Sequence, residues 1–449
     1  MSLLVKLAWR SIWRHKRRTF ITIFSIAFSL GLAVFFISFA EGVYAELIDD
    51  AVKMQAGHLT IENKEYRTAP AVDLLVDDVR KLRHQVEQIP AVAKTKAIVV
   101  GQGVAKSSAG AVGVAISGVE PRVEQNTSPL SGKIIAGKYL ADNDTNSVVV
   151  GKNLAQRLHL ENSREMKKIH ALLEPVYSSF HLDVRQLDDL LRVRLSIGKK
   201  LVLTTNDVNG QIVEELVRVK GIFETGSVQI DGYYVQVPIS FARRLFGIGD
   251  DQASQLGILL SSGSDRDKVI FSVNKLIANE ADAKSISVKK WEEVMPDLAA
   301  YIKIDGGSNY VFQGILIFLV MFTIFNTILM SVLERRREFG MLMAIGTPYQ
   351  RIKKQVLMET VFIAAWGVLM GLVLGGLGGY ALQVNGLDLS KLYPEGITVS
   401  GMAFDMVIHA KVEISTLALV GGLVFGATIL LCLYPMGRIK KIPVAEVIR

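Results

Sequence analysis

Four stretches without a single Asp, Glu, Lys or Arg constrain this chain more than any other feature: 19–40, 306–333, 360–387 and 414–437. Each reaches the roughly 20 residues that a helix needs to cross about 30 Å of hydrocarbon. None alternates apolar and polar residues as a membrane-barrel strand does. The sequence therefore predicts an α-helical membrane protein with four transmembrane helices. Those runs explain why as much as 50% of its 449 residues are hydrophobic.

The net charge of +8 lies beside the runs, which argues against nucleic acid as a partner. Lys6, Arg10, Arg14, Lys16, Arg17 and Arg18 precede the first run. Arg335, Arg336, Arg337, Arg351, Lys353 and Lys354 lie between the second and third, and Arg438, Lys440, Lys441 and Arg449 follow the fourth. The short connection 388–413 sets only Lys391 and Lys411 against Asp388, Glu395, Asp405 and Glu413. Lys and Arg are retained on the cytoplasmic side, so both termini and the 334–357 segment are expected there. The same clusters are expected to touch anionic membrane lipid. The first run is longer than a signal-peptide core and is expected to stay as an anchor. Cys432, the only cysteine, falls inside the fourth run, so no disulfide supports the rest of the chain.

The expected order is a cytoplasmic amphipathic segment (1–18), a first transmembrane helix (19–40), a large extracytoplasmic α+β domain (41–308), a second helix (309–333), a cytoplasmic hairpin (334–357), a third helix (358–384), a short outer loop (385–413), a fourth helix (414–436) and a tail (437–449). Val43, Leu47, Ala51 and Met54 keep helical spacing, so the first helix is expected to continue as a stalk to about Gln55. Beyond it, "AIVVGQGVAKSSAGAVGVAISGVE" reads as two strands joined by a turn, and "NSVVVGKNLAQRLHL" as a strand and short helix. Asn209-Gly210 marks a hairpin. "DRDKVIFSVNKLIANEADA" and "VKKWEEVMPDLAAYI" read as helical. Residues 161–197, divided by Pro175, read as an inserted pair of amphipathic helices.

No catalytic or metal-binding constellation stands out. "GKIIAGKY" (132–139) imitates a phosphate loop, but Tyr139 stands where a Ser or Thr would hold Mg²⁺, and no buried strand precedes it. The seven histidines are scattered without Cys partners or an HExxH pair. Gly367, Gly371, Gly375 and Gly379 recur every fourth residue of the third run. That spacing brings helix backbones close in lipid, either within the chain or between two copies.

The segment "SVLERRREFGMLMAIGTPYQRIKKQVLMET" (331–360) is the most informative between membrane runs. The second helix is expected to continue through it to Gly346. Thr347 would cap the next helix, with Pro348 at its first position and Gln350 completing a capping box. Glu334, Arg335, Glu338, Phe339, Gly340, Ala344 and Gly346 resemble the signature of the FtsX-like permease family, with Met343 replacing its usual basic residue. That family takes in MacB-type exporters and LolC/LolE-type lipoprotein-releasing permeases. "LAWRSIWRHKRRTFIT", "GHLTI", "GKYLADNDTNSVVVGKNLAQRL" and "IPVAEVIR" resemble it too, so the likeness covers the chain except about 161–197.

The resemblance implies a half-transporter in the bacterial inner membrane that is not itself an enzyme. A second permease subunit would pair with it, and two copies of a cytoplasmic ABC ATPase would carry ATP and Mg²⁺. No cofactor would be bound by this chain. The 334–357 hairpin would be the coupling element, with Phe339, Leu342 and Ile345 as its apolar contact and the arginines as a polar rim. The machine would extract or export a lipoprotein or amphiphile, with a periplasmic carrier or adaptor as a further partner. The alternative is an FtsX-like transmitter that activates a periplasmic cell-wall hydrolase without transport.

Overall fold

The computed structural model describes residues 3–14, 16–160, 198–261, 266–278, 285–389, 398–399, 402–403 and 407–439. The helical pair expected at 161–197 lies outside the described residues. The chain divides into two compact units. The described residues within 1–46, 302–392 and 406–449 form a helical unit, and those within 47–301 carry the main sheet.

The chain opens with α1 (Leu3–Arg14) and α2 (Lys16–Met54). The sheet region then runs β1 (Leu59–Asn63), α3 (Val79–Glu87), β2 (Val92–Lys106), β3 (Ala111–Val119), α4 (Pro121–Thr127), β4 (Ile134–Gly137), β5 (Ser147–Gly151) and α5 (Lys152–Arg157). It continues with β6 (Lys200–Asn206), β7 (Ile212–Phe223), α6 (Val228–Tyr233), β8 (Tyr234–Pro238), α7 (Ile239–Phe246), β9 (Gln255–Leu260), α8 (Arg266–Ile277), β10 (Ile286–Lys290) and α9 (Trp291–Val294). The long helices α10 (Pro296–Glu334), α12 (Tyr349–Asn385) and α13 (Ile414–Ile439) follow, with α11 (Arg336–Ala344) between the first two.

The ten strands lie in the order β10-β1-β9-β2-β3-β8-β5-β7-β4, while β6 pairs with both β2 and β7. The path β2-β3-β8-β5-β7-β6 therefore returns to β2 and closes a six-stranded ring. Closure leaves no free edge along that path. The β6–β7 hairpin forms at Asn209-Gly210: Gly210 takes φ +76, and the Asp207 carboxylate accepts the backbone N–H of Asn209 and Gln211 at 2.9 and 2.7 Å. The segment 288–302, read from sequence as helical, opens instead at the end of strand β10, which pairs with β1, and its remainder is helical in α9 and the start of α10. Ile286 is buried in the sheet core, which outweighs the weak local helical signal of "VKKWEEV".

Val148, Val150, Val219, Val235, Val237, Leu203 and Phe246 build the core. Beside it lies a buried polar chain. The Lys96 ammonium, 2% exposed, donates to the Lys53 carbonyl at 2.7 Å and lies 3.4 Å from Glu124. Gln236 donates to Glu124 at 3.5 Å and accepts from the Tyr139 hydroxyl at 2.5 Å. Burial pulls the Lys96 ammonium below its usual range, with Glu124 opposing, and pushes the Tyr139 phenol up.

Among the described residues, four helical segments are long and apolar enough to cross a membrane by length and composition: Thr19–Met54, Pro296–Glu334, Tyr349–Asn385 and Ile414–Gly437. The glycine stripe of α12 packs against α2 within the chain. A Cβ at Gly367 would stand 2.7 Å from Ile26. At Gly371 it would stand 2.9 Å from Leu30, at Gly375 2.7 Å from Val34, and at Gly379 3.3 Å from Ser38. The close backbone approach that the spacing allows is made here within one chain.

Candidate functional site

The site begins where α10 stops. The second long helix does not continue through the hairpin as its sequence suggested. It breaks at Arg335 (φ −89, ψ 11), and α11 starts afresh at Arg336. The break lets the guanidinium turn inward and bond four ways. Nη1 donates to Glu359 of α12 at 2.5 Å, Nη2 to the Ser11 hydroxyl of α1 at 3.2 Å, and Nε to Glu338 at 3.1 Å. Its flat face covers the Phe339 ring at 4.9 Å. Gln355 holds the other Glu359 oxygen at 3.2 Å. The Arg335 and Glu359 side chains are only 13% and 10% exposed, so this ion pair is largely shielded from solvent. A small cavity of about 50 Å³ adjoins it, with Thr19, Thr22, Thr360 and Thr428 among its lining residues.

The turn after α11 is a Schellman motif. Thr347 N–H donates to the Leu342 carbonyl and Gly346 N–H to the Met343 carbonyl, at 3.0 and 3.1 Å. Gly346 takes φ +90, a conformation that costs a side chain with a Cβ roughly 1–2 kcal/mol. The expected Thr347–Gln350 capping box does not form: α12 starts at Tyr349 with Pro348 as N-cap and no side-chain cap bond. The Thr347 amide is already committed to closing α11.

The sequence-derived contact residues separate into two groups. Phe339 is 1% exposed and Gly340 is buried, both turned into the helical unit with Ile352, Val356 and Met436, and Leu342 packs half-buried beside them. Phe339 is therefore a root of the hairpin and not part of its outward contact. The exposed apolar tip is instead Met341 (61%), Ala344 and Ile345 (74%). Glu334, Arg336, Arg337, Arg351, Lys353 and Lys354 stand exposed around it. Sequence reasoning missed Glu359 and Ser11. A usable signal lay in Ile352, Val356, Glu359 and Thr360, whose spacing puts a carboxylate on the buried face of α12.

Comparison with known proteins meets this geometry at the same residues. Residues 310–444 match the FtsX-like permease C-terminal family, which takes in the break, the hairpin and the three helices around them. Residues 19–176 match the MacB-like periplasmic core domain. The chain carries the two domains of FtsX-like, MacB-type ABC-transporter permeases. The lipoprotein-releasing system transmembrane protein LolC of Neisseria meningitidis serogroup B is 20% identical over 258 residues, 56% of this permease and 61% of that protein. The macrolide export ATP-binding/permease protein MacB of Shewanella sp. is 22% identical over 417 residues, 90% of this permease and 57% of that protein. The permease thus spans about three fifths of each of these two relatives. The extracellular domain of the YknZ transporter from Gram-positive bacteria aligns over 52% of the permease and 99% of that domain, at 14% identity and a TM-score of 0.33.

Proposed function

We propose that this permease is the membrane subunit of a MacB/LolCDE-type ABC complex, which transmits ATP hydrolysis by a separate cytoplasmic ATPase to work outside the membrane on a lipoprotein or other amphiphile. The exposed tip of Met341, Ala344 and Ile345, ringed by charges, supports this reading most directly. An apolar knob with a charged rim suits a hydrophobic groove on a protein partner. The Arg335 bonds to α12 and α1 would carry a push on the hairpin into those helices. ATP and Mg²⁺ would belong to two ATPase copies. A second permease would cover the exposed face of α10, where Asn326 stands among Phe318, Leu319 and Phe322 and would find a partner for its amide.

Two substitutions test the coupling role. Ala344→Asp would bury an unpaired charge in the contact, and Gly346→Val would strain the turn in a place where its side chain meets nothing within 4 Å. Both variants are expected to insert normally while losing co-purification of the ATPase, or its stimulated turnover, by at least tenfold for about 1.4 kcal/mol. Wild-type binding and turnover in both would remove the hairpin from the coupling role.

By the charge asymmetry of the sequence, we propose that both termini face the cytoplasm and that residues 47–301 face the outside. Cys432, the only cysteine, is buried, so an introduced cysteine reports alone. Ser108→Cys is expected to react with an impermeant thiol reagent added outside cells, and Gln350→Cys only after lysis. The reverse pattern would invert the topology.

A further inference from the structure

Away from the coupling hairpin, α1, α2 and α12 enclose a groove of about 310 Å³ whose walls are entirely apolar or aromatic. That is about twice the ~150 Å³ of an apolar cavity that stays dry and accepts benzene. Its rings meet edge to face: Trp9 lies 5.6 Å from Phe362 and 5.9 Å from Trp13, and Trp13 lies 6.1 Å from Phe20. Along α12 the lining runs from Phe362 to Leu374. Twelve residues of helix rise about 18 Å, close to the roughly 15 Å of one hydrocarbon leaflet. The shape is that of one extended acyl chain.

Charge selects what that chain is attached to. Arg10, Arg14, Lys16 and Arg17 stand exposed around the α1–α2 junction, and none has a carboxylate partner among the described residues. No Asp or Glu occurs before Glu41. A second copy docking by two-fold symmetry would bring like charges against like, whereas a phosphate diester would answer them. Trp9 and Trp13, at 38% and 40% exposure, suit the boundary between headgroup and hydrocarbon.

We propose that the α1–α2–α12 groove seats one acyl chain of an anionic glycerophospholipid, with its phosphate held by Arg10 and Arg14. The groove lies apart from the exposed hairpin tip, and a lipid seated there would anchor α1, whose Ser11 also bonds Arg335.

The four tryptophans of the chain provide the measurement. Trp9, Trp13 and Trp366 line the groove, and Trp291, in the sheet unit, supplies a baseline. The full-length permease is reconstituted in phosphatidylcholine vesicles with small fractions of brominated phosphatidylglycerol or brominated phosphatidylcholine. The anionic lipid is expected to quench at a mole fraction lower by on the order of tenfold, since each basic residue near the surface contributes to attraction. Arg10→Gln with Arg14→Gln, at exposed positions, is expected to abolish that preference while both lipids still quench. Equal quenching of the wild type by both lipids would overturn the proposal. So would absence of quenching by either, the result expected if a protein segment covers the groove. A preference that survives the double substitution would overturn the phosphate assignment.

Discussion

Glu359→Ala is expected to lower the stability of the permease by about 3–5 kcal/mol, because it leaves the Arg335 guanidinium charged and shielded from water without its counterion. The remaining partners, Ser11 and Glu338, do not replace it. Ser11 is neutral, and the Glu338 side chain is 38% exposed, so its charge is screened. The measurement is the unfolding midpoint of the purified protein in detergent. Arg335→Met combined with Glu359→Met should recover most of the loss, since apolar residues of similar size often replace a buried ion pair at little cost. Stability would then return without coupling, because the double variant keeps no polar bond from position 335 to Ser11 of α1 or to position 359 of α12. A Glu359→Ala protein that unfolds with the wild type would show that the pair is solvated and holds nothing.

Gly375→Leu is expected to have the second largest effect. A Cβ there would stand 2.6 Å from the Gly31 carbonyl oxygen and 2.7 Å from Val34 Cβ. One obstacle is backbone and the other the stem of a β-branched side chain, so neither can rotate away. The two helices would have to separate, at about 3 kcal/mol or more. Gly422→Leu and Gly426→Leu are the controls, since a Cβ at either position meets nothing within 4 Å. Proteolytic sensitivity of the membrane-inserted protein should rise sharply for Gly375→Leu and stay at the wild-type value for both controls. Similar behaviour of all three would mean that the α2–α12 contact does not limit stability.

Features set by neighbours in sequence were legible, and those set by distant partners were not. The apolar runs, the Asn209-Gly210 hairpin and the left-handed Gly346 all follow from local backbone or solvation preferences. Ring closure depends on β6 meeting β2 across about a hundred residues of chain, which no periodicity announces. The inward turn of Phe339 follows from the break at Arg335, and that break makes sense only once Glu359 is placed opposite. The resemblance alone therefore placed Phe339 in the outward contact, whereas the break turns it inward. It also found the tip residue Ile345 while missing Met341, which the fresh start of α11 turns outward.

The residues that flank 161–197 are tied to the sheet body and to each other. Leu160 is buried with its N–H on the Ala155 carbonyl, Gly198 N–H donates to Val219 of β7 at 2.7 Å, and the Lys199 ammonium reaches the His159 carbonyl at 3.0 Å. The folded body thus holds the two ends together, whatever chain lies between them. Doubling the length of a flexible connection between fixed ends adds only about 0.6 kcal/mol of closure entropy. The position is a natural docking port for foreign sequence, where a fluorescent reporter or an affinity handle would exchange for the native segment while the closed sheet and the membrane helices keep their register.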